Sequence, residues 1–274
     1  MEQPLESEQP SLPLGDVFSR SWGIFTQNFT TILIIVLIVH IPLNAILWAA
    51  SANHVLSGQQ DTVTRQLDLI DSKQADQVDT GALASAGAEM FGYGIGVTIF
   101  SDMAGAVAVM ALIVMVMDRL EGRETSYRQA FSRSLPRWPA GALTVLLSGV
   151  AVIVLYAFFI IPGVIFDIFW TFALQAVVLQ GKAGPGALAE SYRLVRGRWW
   201  RVFLYSLVFG ISASVISSIL TSVGNFGDNA LAVIVVTTVI SVVLAYFTIA
   251  YTVLYSDLAK REEKHGPQML LQTD

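Results

Sequence analysis

Six stretches of this chain, residues 31–50, 90–117, 141–161, 164–180, 202–223 and 230–255, hold only two charged side chains between them, Asp102 and Asp167. A bilayer core is crossed by roughly 20 apolar residues in a helix. Inside that core no water is present to satisfy backbone N–H and C=O groups, so such a run must close its hydrogen bonds within itself, as an α-helix. The composition agrees: 54% of residues are hydrophobic and 14% charged, against about 25% charged in soluble domains. The expected fold is an all-α, polytopic membrane protein with six transmembrane helices.

The polar segments set the domain organisation. Residues 1–13 contain three prolines and three glutamates and read as a disordered tail. Residues 14–258 form the membrane domain, with residues 51–89 as its long outer loop. In that loop Val63, Leu67 and Ile70 recur at helical spacing, while Thr80–Gly87 is rich in small residues and reads as flexible. Residues 259–274 form a polar C-terminal tail. The run Ala50-Ser51-Ala52 resembles a signal-peptidase site, but Arg20 is the only preceding positive charge, which argues against a cleaved leader. Of the 16 lysines and arginines, 14 fall in the N-terminal part, the 119–138 and 181–201 segments and the C-terminal tail; only Arg65 and Lys73 lie in the long loop. The positive-inside rule then places both termini in the cytoplasm and residues 51–89 outside, as in a multi-pass protein of the bacterial inner membrane.

A threefold repeat is visible in the polar connections. Phe18-Ser19-Arg20-Ser21 recurs as Phe131-Ser132-Arg133-Ser134. Leu14/Phe18/Phe25, Tyr127/Phe131/Trp138 and Leu188/Tyr192/Trp199 share one spacing, and Ile41-Pro42 recurs as Ile161-Pro162. The unit is a cytoplasmic interfacial amphipathic helix, a span, an outer turn and a returning span, giving three pseudo-repeated hairpins of one orientation. Repeats of that kind are related by an axis along the membrane normal. In the third unit the spacing predicts one helix over Ala187–Arg201. Leu188, Tyr192, Val195 and Trp199 form its apolar stripe, and Glu190, Arg193 and Arg201 lie on the far side. Glycines 92, 94, 96 and 105 predict close helix–helix approach in the second span.

The segment from Pro162-Gly163 through the hinge at Gly181–Gly186 to Ala187–Phe203, together with Leu254-Tyr255-Ser256-Asp257-Leu258, resembles two related groups. These are the YciC-like family of bacterial inner-membrane proteins and the membrane domain that precedes some glycerophosphoryl diester phosphodiesterases. The resemblance implies a six-helix membrane domain concerned with envelope or membrane maintenance. The catalytic phosphodiesterase domain has no counterpart in this chain.

Several function classes are excluded by what the residues are. There is no cysteine, and histidine occurs only at positions 40, 54 and 265, so no metal centre is expected. No nucleophile, zinc or phosphate-loop motif occurs, and Gly92-Tyr93-Gly94-Ile95-Gly96 lies in an apolar run with no strand before it. The arginines flank apolar runs rather than forming a separate basic domain, so nucleic acid is not an expected partner. No catalytic residue and no cofactor are assigned. The candidate headgroup ligands are Arg193, Arg196, Arg198, Arg201, Arg128, Arg133 and Arg137, facing anionic lipid. Trp22, Trp138, Tyr192, Trp199 and Trp200 are the expected interfacial anchors. Topology and anchoring alone are the plainer reading of these residues. Asp118 and Asp257, at span ends, are the expected arginine partners. The in-span acids Asp102 and Asp167 are the candidate intramembrane polar residues, since a charge at mid-membrane costs about 2.5–3.5 kcal/mol on the insertion scale. The expected role is non-enzymatic, in membrane or envelope organisation or anionic-lipid handling. The alternatives are a small secondary transporter or channel using Asp102 and, less favoured, a lipid-modifying enzyme.

The charge asymmetry makes a direct prediction. Reporter fusions after residues 70 and 227 should read as external, and fusions after residues 128, 190 and 265 as cytoplasmic. A cytoplasmic signal at residue 70 would refute the six-span topology.

Overall fold

The computed structural model describes residues 12–52, 57–72, 74, 77–223 and 229–270. The expected disordered tail, apart from Leu12 and Pro13, lies outside these residues, as do Lys73, most of the 224–229 turn and the end of the C-terminal tail. All regular structure among the described residues is helical. The elements are α1 (Leu14–Gln27), α2 (Phe29–Ala52), α3 (Ser57–Asp71), α4 (Thr80–Leu120), α5 (Tyr127–Ser134), α6 (Trp138–Phe158), α7 (Ile160–Trp170), α8 (Ala173–Gln180), α9 (Pro185–Val195), α10 (Trp199–Val223) and α11 (Ala230–Leu270). Six of the continuous helical stretches are long and apolar enough to cross a membrane, which makes this a multi-pass membrane protein.

The core lies between α2, α4, α8 and α11. Its fully buried side chains include Ile32, Ile35, Met110, Ile113, Met115, Phe172, Ile249 and Leu254. Helix α4 is central: residues 110–116 are all buried, so this helix is apolar all round where its neighbours surround it. Gly141 of α6 sits against Met110, where a Cβ would fall 2.5 Å from the sulfur. Gly92, Gly94 and Gly96 instead have no neighbour near a would-be Cβ, so the close approach expected there does not occur. The contact comes from Gly141, where the partner is a bulky thioether.

Four boundaries differ from the sequence reading. Helix α4 begins at Thr80, inside the stretch expected to be flexible, because the Asp79 side chain accepts from Ala82 N–H at 2.9 Å and caps an alanine-rich first turn. The turn between the third and fourth runs falls at Phe159, not at Pro162-Gly163. Pro162 is the third residue of α7, where a missing N–H costs no intrahelical bond. Gly163 lets the Tyr156 ring lie against the α7 backbone, since a Cβ there would be 2.7 Å from it.

The fourth run is two helices, α7 and α8, broken at Thr171-Phe172, and the expected single helix over Ala187–Arg201 is also two. It stops at Val195 and restarts at Trp199, with Gly197 at φ +84° between them, a left-handed conformation that other residues adopt at a cost. Trp199 therefore belongs to α10 and leaves the Leu188/Tyr192 stripe. The face that α9 buries is Ala187, Glu190, Ser191, Leu194 and Val195, one step round from the stripe expected.

The two breaks are linked. The Ser191 hydroxyl of α9 accepts from Phe172 N–H at 3.0 Å and donates to Phe169 C=O at 2.7 Å. A break in a membrane helix is tolerated where its freed backbone groups find partners, and here one serine, 1% exposed, supplies both. Ser191→Ala should lower stability by about 1–3 kcal/mol by leaving those groups unpaired, measured as unfolding in detergent. Ser191→Thr, which keeps the hydroxyl, should lose less.

Candidate functional site

The arginine-rich end of the bundle is built around three carboxylates. Asp118, near the end of α4 and 2% exposed, accepts from Arg123 Nη2 at 2.6 Å, from Arg133 and from Thr125. It thereby ties α4 to the following loop and to α5. Glu190 of α9 accepts from Lys182 Nζ at 2.5 Å, from Gln180 Nε2 at 2.9 Å and from Arg193. Arg193 also reaches Glu262 of α11 at 2.6 Å, and Gln180 donates to the Tyr255 hydroxyl at 3.1 Å. Asp257 of α11 accepts from Arg201 of α10 at 2.9 Å and Arg261 at 3.2 Å. Arg201 and Tyr205 both donate to the Leu12 carbonyl, at 2.9 and 2.6 Å, and so hold the start of the described chain.

In each cluster the carboxylate is buried. The arginines reach in from outside, half-exposed except for Arg201 and Arg261. Hydrogen bonding by Arg193, opposed by burial but aided by Lys182 and Gln180, holds the Glu190 carboxyl down at about 2.

These contacts divide the seven candidate headgroup arginines. Arg133, Arg193 and Arg201 are held by carboxylates. Arg128 donates to the Tyr127 hydroxyl at 3.1 Å and lies over that ring. Arg137, Arg196 and Arg198 make no side-chain hydrogen bond or ion pair among the described residues; Arg137 and Arg196 are exposed and Arg198 is half-buried. Arg196 and Arg198 flank Gly197 in the break before α10.

The aromatic candidates divide as well. Trp138 Nε1 donates to Met103 C=O at 2.9 Å, Trp199 Nε1 to Ile165 C=O at 3.3 Å, and Tyr192 packs on Phe169 with ring centres 4.4 Å apart. These three are part of the bundle packing. Trp22 and Trp200 project outward, 59% and 72% exposed.

The two in-span acids are not equivalent. Asp102 is exposed on α4 and forms no side-chain bond among the described residues. Asp167 of α7 lines a cavity of about 560 Å³ between α4, α6, α7, α8, α10 and α11, and the Tyr156 hydroxyl lies beside it. The cavity wall also carries Gln175, Ser206 and Tyr251. The sequence reading missed all three. Gln175 had a signal: it is the one carboxamide in residues 164–179. Ser206 and Tyr251 had none, because a serine hydroxyl in an apolar run is ordinarily bonded back to its own helix and a tyrosine there reads as an aromatic packing residue.

Residues 138–258 match a family described as a domain of unknown function (DUF7847). The matched segment holds Glu190, Asp257, the Ser191 clamp and the cavity residues of α6–α11, and excludes Asp118. No curated protein and no solved structure matches the chain.

The Glu190 cluster gives a pH prediction. Its carboxyl titrates near 2 in the folded protein against an ordinary value of 4.5, so its contribution is present above about pH 4.5 and fades as pH falls toward 2. Glu190→Gln should destabilise the protein by about 1–2 kcal/mol at pH 6, allowing for the solvent-exposed bases around it. The gap to wild type should narrow by pH 3, read as unfolding midpoints in detergent.

Proposed function

We propose that this is a non-enzymatic protein of the bacterial inner membrane that binds anionic lipid headgroups at its cytoplasmic face. Both termini are cytoplasmic in this reading, and the short helices α1, α5 and α9 are the interfacial members of three pseudo-repeated hairpins. The observation that carries it is the surplus of arginine. Asp118, Glu190 and Asp257 take up Arg123, Arg133, Arg193, Arg201 and Arg261, while Arg137, Arg196 and Arg198 have no acidic partner among the described residues. A bidentate guanidinium with no carboxylate is suited to a phosphate oxygen, and each basic residue near an anionic surface contributes roughly 1 kcal/mol. Trp200, exposed beside Arg198, fits an interfacial position. The likeness to YciC-like proteins and to phosphodiesterase membrane domains points the same way, toward membrane or envelope maintenance.

The structure narrows the residues that carry this reading. Arg193, Arg201 and Arg133 are positioning groups whose charge is already matched, so replacing them tests the fold and not the headgroup site. A second reading, transport of a small solute, is favoured by the polar cavity, and its acid is Asp167, since Asp102 does not line that space.

Native mass spectrometry in mixed lipid tests the lipid reading. The triple variant Arg137→Gln, Arg196→Gln, Arg198→Gln should retain far less phosphatidylglycerol and cardiolipin than wild type, by up to about a hundredfold if the three act additively. The corresponding triple lysine variant should hold an intermediate amount. Equal retention by the glutamine variant would leave these arginines as topology signals alone.

A further inference from the structure

We propose that the cavity between α4, α6, α7, α8, α10 and α11 binds a small organic ammonium ion, its charge and N–H on Asp167 and its apolar part against Trp170, Phe203 and Tyr251. The proposal is independent of the headgroup arginines.

The shape of the site follows from the break in the fourth run. Asp167 stands near the end of α7 and Gln175 in the first turn of α8. The break lies between them, held by Ser191. Two consecutive short helices with a break of this kind put polar side chains from both halves onto one cavity, a common construction of midplane binding sites.

The chemistry of the wall selects the ligand. The side chains lining the cavity include one carboxylate, a carboxamide and several hydroxyls, and no lysine, arginine or histidine. An anion would meet one negative charge and no positive one. Asp167 is open by surface area within a span, and a carboxylate in that position calls for water or a counter-ion. Gln175 is only 4% exposed, yet its Oε1 has no hydrogen-bond partner. A buried acceptor without a donor costs free energy, but this oxygen is closed off from the cavity, so the carboxylate of Asp167 is the group open to a ligand.

A bare metal ion fits poorly. Calcium and magnesium are held by six or more oxygens at roughly 2.0–2.6 Å, whereas this space is about 560 Å³ and brings a single carboxylate. That volume is in the range that holds a small organic molecule. The aromatic side chains add faces on which a cation is attracted by the ring quadrupole. A carboxylate, several hydroxyls and aromatic walls together describe a protonated amine with an apolar substituent.

The probe is benzylamine, added to the full-length protein in nanodiscs and followed by saturation-transfer difference NMR. Benzylamine should bind saturably. Benzyltrimethylammonium, which has the charge but no N–H, should bind more weakly, and benzyl alcohol, which lacks the charge, more weakly still. Asp167→Asn should weaken benzylamine by about tenfold or more and reduce the preference for benzylamine over its trimethylated form. Asp102→Asn and Arg196→Gln/Arg198→Gln should bind as wild type does. The three-ligand comparison on wild type needs no variant, so a folding defect in Asp167→Asn does not decide the matter. Equal binding of benzyl alcohol and benzylamine, no saturable binding of benzylamine, or unchanged affinity in a folded Asp167→Asn variant would each overturn the assignment.

Discussion

The absence of water in the hydrocarbon core is the constraint from which the rest of this structure follows. Long apolar helices satisfy it by bonding every backbone group internally. Two places in the apolar runs depart from that solution: Pro42 inside α2, which has no N–H to donate, and the break at Thr171-Phe172, where a single hydroxyl from a neighbouring helix restores the lost bonds. The clamp explains why α9, a short segment between two spans, is packed into the bundle with five residues buried. Without that contact the fourth run would have no reason to divide, and the polar side chains on its two halves would not converge on one cavity.

At the arginine-rich end the organising feature is carboxylate burial. Asp118, Glu190 and Asp257 are each nearly enclosed, and an enclosed carboxylate is tolerable when several donors reach it. The donors come from different elements, so each acid joins pieces that are otherwise connected only by loops: α4 with α5, α8 with α9 and α11, α10 with α11. This divides the basic residues by role. Arginines that complete these clusters position helices. Those left over, Arg137, Arg196 and Arg198, are available to anything anionic that the surface meets. A count of positive charge along the chain gives topology, but it does not separate these two groups.

The fold and its two candidate sites fit one another without sharing residues. Arg196 and Arg198 flank the α9–α10 junction, and the cavity is walled in part by Phe203 and Ser206 of α10. Ser191 and Glu190 are adjacent in α9, one fastening the break beside the cavity and the other fastening the arginine-rich end.

Much of the fold was legible in the chain. Six apolar runs in a 274-residue sequence leave a helical bundle as the one economical answer, because hydropathy is a local property and the bilayer reads it locally. The candidate site was legible only in part. Asp118 and Asp257 could be anticipated as arginine partners from their place at span ends, and Arg196 and Arg198 as headgroup candidates. The break at Thr171-Phe172 carries neither glycine nor proline, and nothing in its own residues distinguishes it from continuous helix; Ser191, nineteen positions away, decides it. Gly197 lay inside the single helix expected over Ala187–Arg201, whereas the structure breaks the chain there; the rotation that buries Glu190 and Ser191 depends on what α9 packs against. The same holds for the two in-span acids. Sequence offered both Asp102 and Asp167 as intramembrane polar residues and put the transport alternative on Asp102; the arrangement of α6, α10 and α11 around α7 gives the cavity to Asp167 instead. Helix formation in hydrocarbon is determined by each segment's own side chains and backbone, whereas a cavity is made by surfaces from segments distant in the chain.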